Sequence, residues 1–482
     1  MSISMEELAV FCKKKGFVYP SSEIYGGIAG FWDFGPLGVE LFNNIKSSFW
    51  KFFVNSRDNV IGIEASVISH PRTWKASGHV ANFSDVAVVC KKCNFSTKID
   101  KSEIGKVKCE KCGSEYDVKG EFSLMFKTKV GALDTFDAYL RGETAQGMFL
   151  DFKVITDTAR VKLPFGILQI GRCFRNEIAP RDFLFRSREF NIGEFEFFIH
   201  PKETKCKELT KEQLSLKIPF LSSEMQNSGK NSPSITTVSE ILKAKKLDEW
   251  HAYWLAEQMK WFASIGLAVK NLKVREHTKH ELSHYSTATF DIDYNYPIFG
   301  SEEIAGIANR GQFDLNQHMK ESGKDLSIFD EETKEKVVPR VIEPTFGMER
   351  IFLAAICEAY EFDKKRENVV LHLHPKLAPY KVAVFPLMKK DGLDEAAKKI
   401  HDELKQELNS FYDVSGSIGR RYARQDEIGT PYCITVDYDS LKNKDITIRD
   451  RDSTEQKRIK INNVREIVRK LINQEIDFKS LK

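Results

Sequence analysis

The distribution of apolar positions predicts a helix followed by strands in the first half of the chain. Apolar side chains recur along residues 37–54 at the spacing of one helical face, and Pro36 stands where the start of a helix tolerates proline. Residues 60–63 form a short β-branched run that predicts a strand. Two longer runs, 168–174 and 190–197, predict a pair of strands on either side of a charged loop.

Two consecutive stretches in the middle of the chain differ sharply in their patterning. Residues 201–248 are polar and show no strong period, which predicts an inserted surface segment. Residues 249–264 then carry Trp250, Trp254 and Trp261 at helical spacing. Such an aromatic stripe is more often part of a hydrophobic core than a cofactor site, so we expect a buried helix there.

A second buried helix is predicted further on. Residues 351–356 are apolar on every face of a helix, and Glu343, Thr345 and Arg350 stand near the start of that stretch. The N-terminal end of this helix would present Arg350 and free backbone N–H groups to an anion.

The pattern changes again near residue 379, after a stretch with two prolines. Beyond it, strand-like runs alternate with amphipathic helical runs to the end of the chain. Strands that alternate with helices predict a compact α/β domain over residues 379–482, a size that can fold alone.

The length, composition and net charge of the chain narrow the class of protein. A chain of 482 residues is too long for one core, and its 41% hydrophobic and 29% charged residues are typical of globular proteins. No run approaches the roughly 20 apolar residues of a membrane span, so we expect a cytoplasmic protein without a membrane partner. The formal net charge of +4 permits a polyanionic partner without requiring one.

Four cysteines predict a metal site. Cys90 and Cys93 form one Cys-x-x-Cys pair, and Cys109 and Cys112 form another after fifteen intervening residues. Two such pairs at this separation supply the four thiolates of a tetrahedral Zn²⁺ site, and four protein ligands leave no open position for catalysis. The alternatives are a thiol-redox pair and a disulfide framework, and both fit the spacing less well.

The loop between the paired strands predicts a nucleotide site. It concentrates the charged residues Arg175, Glu177, Arg181, Arg186 and Arg188. Guanidinium groups bind phosphate oxygens in two-pronged geometry, so this density of arginine suits a nucleotide. The alternative is a solvated hairpin loop.

Residues 280–284, HELSH, match the His-Glu-x-x-His pattern of zinc proteases. A protease would carry this pattern on a helix with a buried apolar face. The flanking residues here are polar before the motif and strand-like after it, so the protease interpretation is not favoured.

Several motifs together resemble the glycyl-tRNA synthetases of the homodimeric class II type. Residues 37–71, FRNE to FNIGEFE, and GMER resemble the three class II motifs. The motifs typical of the glycyl family are DFGPLG, RGETAQG, ELSHYS, GIANRGQFDL, IEPTFG, IGRRYARQDEIGTPYC and TIRDRDS. The family also explains HELSH, which overlaps ELSHYS.

The resemblance implies an α+β fold. Its catalytic core would be an antiparallel sheet flanked by helices, with a zinc-ribbon-like insertion, and an anticodon-binding α/β domain would follow. The expected divisions are 1–85 (core, motif 1), 86–120 (four-cysteine zinc-binding insertion), 121–200 (core, motif 2), 201–248 (polar insertion), 249–378 (core, motif 3) and 379–482 (anticodon-binding domain).

The resemblance also assigns an ATP site. Arg175 would hold the α-phosphate and the amino-acid carboxylate, and Phe190 would stack on adenine. Arg350 would pack over the other face of adenine or reach the γ-phosphate, and Glu303 would anchor Mg²⁺. The expected catalytic residues are Arg175, Glu177 and Arg350, and the expected ATP-binding residues are Arg175, Glu177, Arg186, Phe190, Glu303 and Arg350.

The glycine site implied by the resemblance is acidic. It consists of Glu143, Glu194, Arg310, Glu343 and Thr345, in which carboxylates bind the ammonium and Arg310 keeps them from repelling one another. Two positions depart from the family pattern. Thr345 replaces the usual serine but keeps its hydroxyl, and Gly142 replaces the usual proline beside Glu143.

The expected function is the ATP-dependent attachment of glycine to the 3′ end of tRNA(Gly) through a glycyl-adenylate, by a homodimer. One alternative is a catalytically inactive synthetase-like protein that binds nucleic acid or serves as an accessory subunit. The presence of Arg175, Glu177 and Arg350 argues against it. Another is a prolyl or threonyl class II enzyme, which would lack RGETAQG and IEPTFG.

Overall fold

The computed structural model describes residues 3–82, 84–99, 104–282 and 286–481. The helices of these residues are α1 (Met5–Lys15), α2 (Pro36–Trp50), α3 (Pro71–Ala76), α4 (His79–Asn82), α5 (Ala145–Thr158), α6 (Lys211–Ser215), α7 (Ser223–Asn227), α8 (Val238–Lys243), α9 (Glu249–Ser264), α10 (Phe313–Ser322), α11 (Met348–Ala359), α12 (Leu393–Leu404), α13 (Ile418–Ile428), α14 (Tyr438–Asn443) and α15 (Val464–Ile472).

The strands up to the centre of the chain are β1 (Val18–Pro20), β2 (Trp32–Phe34), β3 (Val60–Gly62), β4 (Ile68–Ser69), β5 (Ser84–Cys90), β6 (Ser96–Ile99), β7 (Tyr116–Ser123), β8 (Lys127–Val130), β9 (Phe136–Leu140), β10 (Phe165–Phe174), β11 (Glu189–Ile199), β12 (Lys217–Leu221) and β13 (Ser234–Thr237). The later strands are β14 (Leu272–Glu276), β15 (Ala288–Tyr296), β16 (Gly300–Gly311), β17 (Ile328–Asp330), β18 (Glu335–Val337), β19 (Arg340–Gly347), β20 (Tyr360–Asp363), β21 (Asn368–Leu371), β22 (Val382–Pro386), β23 (Ser410–Tyr412), β24 (Tyr432–Val436), β25 (Asp445–Asp450) and β26 (Gln456–Lys460).

A nine-stranded sheet forms the centre of the molecule, in the order β13-β12-β14-β15-β16-β19-β11-β10-β3. Its pairs are antiparallel except β12 with β14 and β10 with β3. The predicted pair of strands around the charged loop is confirmed as β10 and β11, which run antiparallel. The expected antiparallel-rich sheet with flanking helices is therefore confirmed.

One face of this sheet packs against the aromatic helix α9. The rings of Phe195 and Phe197 on β11 lie 4.7 and 4.9 Å from that of Trp254, which is fully buried. The helix begins cleanly because the Asp248 side chain accepts a hydrogen bond from the backbone N–H of His251. The prediction that the tryptophan stripe belongs to the core is confirmed.

The motif-1 helix α2 packs on the same side of the sheet. Gly35 caps it and Pro36 occupies its first turn, where the missing N–H costs nothing. Phe49 on α2 meets Phe346 of β19 with ring centroids 4.8 Å apart. The opposite face of the sheet is covered by α5, whose Phe152 lies 4.5 Å from Phe198.

The expectation of a polar surface insertion at 201–248 is wrong for much of that segment. Its strands β12 and β13 extend one edge of the central sheet, and Ile218, Phe220, Val238 and Ile241 are buried. The elements there are only four to six residues long. Periodicity is measured over longer windows, so such short elements leave little signal in the sequence.

The prediction that placed Glu343 and Thr345 at the start of a buried helix needs a similar correction. Both residues lie on β19, and only Arg350 lies in the first turn of α11. The strand contains Pro344, which is paired opposite Ile307 of β16. Proline is rare in a central strand, so the usual sequence rules disfavour a strand here. The helix itself is buried as predicted.

The last hundred residues form a separate five-stranded sheet, β23-β22-β24-β25-β26, with α12, α13, α14 and α15. Val384, Ile434, Ile448 and Val468 belong to a hydrophobic core of its own. The C-terminal α/β architecture is therefore confirmed. No helix among the described residues is long and apolar enough to cross a membrane.

Candidate active site

The central strands of the large sheet bring polar residues from distant parts of the chain onto one face. Glu194 of β11 stands opposite Gln169 of β10 on one side and Thr345 of β19 on the other. Directly opposed residues of neighbouring strands share a face. Glu343 lies two residues before Thr345 on β19 and therefore points to the same side.

A cavity of about 460 Å³ opens beside these strands. Thr345 lines this cavity. So do all six residues expected to bind ATP, namely Arg175, Glu177, Arg186, Phe190, Glu303 and Arg350. The structure therefore brings together side chains from the charged loop, from β11, from β16 and from the start of α11.

The arginines of this cavity are held by neighbouring groups. Arg186 donates from Nε to Glu177 Oε2 at 2.9 Å, and Arg175 donates from Nε to the Gly142 carbonyl at 3.1 Å. Arg350 donates to both the carbonyl and the carboxylate of Glu303, at 2.8 and 3.1 Å. Guanidinium groups fixed in this way lose little conformational freedom when a polyphosphate binds.

Glu194 is almost completely buried and contacts Thr345, which lines the cavity. Its Oε2 accepts hydrogen bonds from the backbone N–H and the hydroxyl of Thr144, at 3.1 and 2.6 Å. Its Oε1 accepts from the hydroxyl of Thr345 at 3.1 Å. Three donors to one carboxylate hold it in a fixed orientation. The hydroxyl retained in Thr345 therefore makes the contact that a serine there would make.

Arg310 clamps two acids in the buried interior. Its NH1 donates to Glu343 Oε1 at 2.6 Å, and its Nε and NH2 donate to the two oxygens of Asp314, each at 2.8 Å. Burial raises the pKa of Glu343 well above its ordinary value, and the Arg310 charge opposes that shift. Arg310 thus holds two buried carboxyl groups close together.

Glu143 precedes α5 in a loop, as predicted, and has two partners. His79 Nε2 lies 3.1 Å from its Oε2, and Gln146 Nε2 donates to its Oε1 at 3.0 Å. Burial raises the pKa of Glu143, but the charges of His79 and Arg310 outweigh that effect and hold it below its ordinary range. Glu143 is therefore an ionised carboxylate close to the Arg310 clamp.

Sequence reasoning missed four residues of this site, namely His79, Gln146, Glu196 and Asp314. Three of them lie inside motifs quoted above, Gln146 in RGETAQG, Asp314 in GIANRGQFDL and Glu196 in FNIGEFE, where Glu196 also shares a strand face with Glu194. His79 lies outside those motifs, and its contact with Glu143 joins residues far apart in the chain.

The four predicted metal-binding cysteines converge. Their sulfur atoms all lie within 4.8 Å of one another, with Cys90 Sγ 3.4 Å from Cys112 Sγ and Cys93 Sγ 3.6 Å from Cys109 Sγ. A disulfide requires about 2.05 Å. Sulfurs about 2.3 Å from a central tetrahedral ion stand about 3.8 Å apart, so these residues fit a metal ion of that size.

The protease-like motif gives no sign of catalysis. Glu281 Oε1 accepts from Arg275 NH1 at 2.7 Å, and its other oxygen accepts from the backbone N–H of Thr278. The second histidine, His284, lies outside the described residues.

An arginine-lined cavity on an antiparallel-rich sheet, followed by a separate α/β domain, is the architecture of an aminoacyl-tRNA synthetase. Residues 381–471 match the family model described as "Anticodon binding domain". Curated relatives described as "Glycine--tRNA ligase" come from Borreliella burgdorferi (41% identical over 99% of both chains), Treponema denticola (42% over 95% of this chain and 94% of the relative) and Caldanaerobacter subterraneus (43%, over 96% and 97%). The chain belongs to the glycine–tRNA ligase family, which confirms the resemblance found in the sequence.

Proposed function

We propose that the protein activates glycine with ATP and transfers it to the 3′ end of tRNA(Gly). One observation carries this proposal. Thr345 lines the phosphate-binding cavity and also donates a hydrogen bond to the buried Glu194. An acidic pocket for an ammonium group therefore adjoins the nucleotide cavity, as the formation of an aminoacyl-adenylate requires.

The chemistry of the first step needs positioning and charge stabilisation more than proton transfer. The glycine carboxylate attacks the α-phosphorus of ATP, and pyrophosphate leaves. Arg175 neutralises the charge that develops there, and Arg186 and Arg350 hold the outer phosphates. Phe190 stacks on adenine. Glu303, which lines the cavity, would hold Mg²⁺, and the ion would supply positive charge that offsets the charge of the phosphates.

The second step transfers glycine to tRNA. A hydroxyl of the terminal ribose attacks the acyl carbon of the glycyl-adenylate, and AMP leaves. The C-terminal domain, which we assign to residues 379–482, would bind the anticodon end of the tRNA. Its match to an anticodon-binding family supports that assignment.

Selection of glycine follows from the geometry of the acids. Glu143, Glu194 and Glu343 offer carboxylates to one ammonium group, and Arg310 offsets their mutual repulsion. Contact with one methylene group more or less would distinguish glycine from a larger amino acid by only about 1–3 kcal/mol. We therefore propose that the pocket selects glycine mainly by excluding any side chain beyond the α-carbon.

The proposal predicts that the purified protein charges tRNA(Gly) with radiolabelled glycine. Arg175→Ala should lower kcat/KM for charging by roughly 10²- to 10³-fold, because a donor aimed at the developing charge is lost. The matched control is Arg172→Ala, whose side chain is 58% exposed and pairs with Glu189 outside the cavity. Charging that survives in Arg175→Ala at the level of the control would contradict the assignment.

The inactive synthetase-like alternative is not favoured. An accessory protein has no need of a nucleotide cavity, whereas all six expected ATP ligands line a single cavity here. A working nucleotide site is the simpler explanation.

We also propose that the cysteine cluster, within an insertion at 86–120, binds structural Zn²⁺. The small sheet β6-β5-β7 has only Val86, Val88 and Ile99 as its buried core among the described residues, which is too little apolar surface for independent stability. A four-thiolate ion would supply the missing folding free energy.

Metal analysis tests the zinc proposal. Protein purified without added zinc should hold about one equivalent, and Cys112→Ser should hold less than half, because a structural site needs all four ligands. Cys206→Ser is the control, since Cys206 is buried outside the insertion. Less than half an equivalent in the unaltered protein would contradict the proposal.

Homodimer formation and a cytoplasmic location stay proposals from the resemblance. Ile24 and Tyr25, just before the motif-1 helix, are each 87% exposed, which supports an interface on that side. Sedimentation equilibrium should give twice the mass of one chain, and a mass of one chain would contradict the proposal.

A further inference from the structure

Glu196 is a buried acid that the proposed chemistry does not use. It lies on β11 two residues after Glu194 and therefore points to the same face of the sheet. Its side chain is fully buried, and neither carboxyl oxygen has a hydrogen-bond partner within the described part of the chain. A buried carboxylate without partners is far too costly to be maintained, so its state requires an explanation.

The neighbours of Glu196 are charged. Counting along the register of β11 and β19 places it opposite Glu343, and oxygens of Glu194, Glu196 and Glu343 all lie within 4.8 Å of one another. The other charged groups that act on it are Arg310 of β16 and Asp314 of α10. A single guanidinium thus faces four carboxyl groups.

The hydrogen bonds decide which of these acids carries a proton. Glu194 accepts from three donors, and Glu343 and Asp314 each accept from Arg310, so all three have hydrogen-bond donors, although burial also raises the pKa of Glu343. Glu196 has no such donor among the described residues. Burial, and then the charge of Glu343, raise the pKa of Glu196 well above its ordinary value.

We infer that Glu196 is a neutral carboxylic acid that donates its hydroxyl hydrogen to the oxygen of Glu343 not bound by Arg310, and so positions Glu343 for the ammonium group of glycine. Rotation of the side chain closes the remaining gap to the roughly 2.5–2.7 Å of an O–H···O⁻ bond. The inference rests on the proposed function, since it concerns the same glycine pocket.

A neutral acid at this position has a physical consequence for binding. Glu196 lies one step deeper than Glu194, and Phe198 follows on the same face, packed against α5. If Glu196 were ionised, the pocket would hold an extra negative charge next to apolar side chains. With Glu196 protonated, Glu343 is fixed from two sides, by Arg310 and by Glu196.

Two variants separate this role from a purely structural one. Glu196→Gln keeps a donor, and we expect it to lower kcat/KM for glycine in ATP–pyrophosphate exchange by less than about fivefold. Glu196→Met removes the donor at similar length and should raise KM for glycine by more than about tenfold with a smaller change in kcat, the range expected for a hydrogen bond to a charged group. Glu194→Gln is the control for an acid that accepts from three donors, and kcat/KM for glycine should fall at least about 100-fold in that variant.

Each outcome of this comparison is decisive. If Glu196→Gln loses as much as Glu194→Gln, then Glu196 is ionised and the inference is overturned. If Glu196→Met keeps the unaltered KM, then Glu196 positions nothing and the inference is overturned equally. Should Glu196→Met fail to fold, the comparison of the two glutamine variants still decides.

Infrared difference spectroscopy tests the protonation state without any turnover. At about pH 8, the spectrum of the full-length protein minus that of Glu196→Gln should contain the carbonyl band of a buried, protonated carboxylic acid, because the contributions of other acids such as Glu349 cancel, and Glu194→Gln should keep that band. Absence of the band in a protein that activates glycine would refute the inference and leave the proposed function intact. Presence of the band in a protein without glycine activation would refute only the function.

Discussion

A buried glutamate in this protein takes the charge that its hydrogen-bond partners allow. Glu194 accepts three donors, and His79 holds the pKa of Glu143 low, whereas Glu196 has no donor among the described residues. Glu349 lies between these cases, because it is buried but has two hydrogen-bond donors. It is 5% exposed and accepts from the backbone and side-chain N–H groups of Asn191, at 2.7 and 2.8 Å. Burial raises the pKa of Glu349 to about 7, and these two bonds oppose that shift.

The raised pKa of Glu349 makes stability depend on pH. In the unfolded chain the group ionises near its ordinary value of 4.5, but in the folded protein it ionises only near pH 7. The unaltered protein therefore loses stability as pH rises between these values, by at most about 3 kcal/mol. Glu349→Gln does not titrate, so its Tm relative to the unaltered protein should rise between about pH 5 and pH 7. The exposed Glu361→Gln is the control, and a flat difference for Glu349→Gln would contradict the assignment.

At the scale of elements, the central sheet extends into a segment whose sequence looks like surface. Side chains along a strand point alternately to the two faces of the sheet. Residues 217–220 of β12 pair with residues 234–237 of β13, so Ile218 and Ile235 belong to adjacent residue pairs. Ile218 is fully buried, whereas Ile235 is 68% exposed. The two isoleucine side chains therefore lie on opposite faces of the sheet at the same edge.

Ile218→Ala should therefore lower the free energy of unfolding by about 2–4 kcal/mol, the usual cost of removing a buried aliphatic side chain. Ile235→Ala, which removes the same atoms from the exposed face, should change it by less than about 0.5 kcal/mol. Thermal denaturation of both variants measures the contrast. Equal Tm values would mean that 201–248 is a loose surface segment after all.

Helices and strands that carry a long, regular pattern of apolar residues were predictable from the sequence. The helix at 249–264 and the strands β10 and β11 match their predicted positions, because each buries a regular apolar pattern. β12 and β13 were missed because they are short, and β19 was missed because Pro344 interrupts it. The local rules fail where pairing with a distant strand outweighs them.

The candidate site was predictable only through its motifs. The resemblance named Arg310 and Glu343, and the structure adds the clamp between them, which joins residues thirty-three positions apart. The neutral acid Glu196 depends on which side chains meet across strands. No pattern along a single stretch of sequence contains that information.

At the scale of the whole molecule, the two parts of the chain have separate cores. The C-terminal cluster around Ile434 and Ile448 is distinct from the large cluster of the catalytic part. Polar contacts join them, including Lys15 Nζ to Glu427 Oε2 at 2.6 Å and Arg366 NH1 to Asp426 Oδ2 at 3.1 Å. A polar interface between separate cores favours parts that can fold independently.

Removal of residues 379–482 should therefore leave glycine activation within about tenfold of the full chain, because adenylate formation needs only the catalytic part. The same truncation should lower charging of tRNA(Gly) by at least about 100-fold, because the anticodon contacts are lost and a loss of about 2.7 kcal/mol of binding has that effect. Pyrophosphate exchange and tRNA charging, measured side by side, check this. Parallel loss of both activities would contradict the proposed division of labour.

The most direct test of the central claim is ATP–pyrophosphate exchange run with each amino acid in turn. The account predicts exchange with glycine, at least about 100-fold less with alanine or serine because the pocket excludes a larger side chain, and loss of glycine exchange in Glu143→Ala. Asp151→Asn, which changes an exposed acid on the neighbouring helix, is the control and should behave as the unaltered protein does. No exchange with glycine, or full exchange retained by Glu143→Ala, would contradict the account.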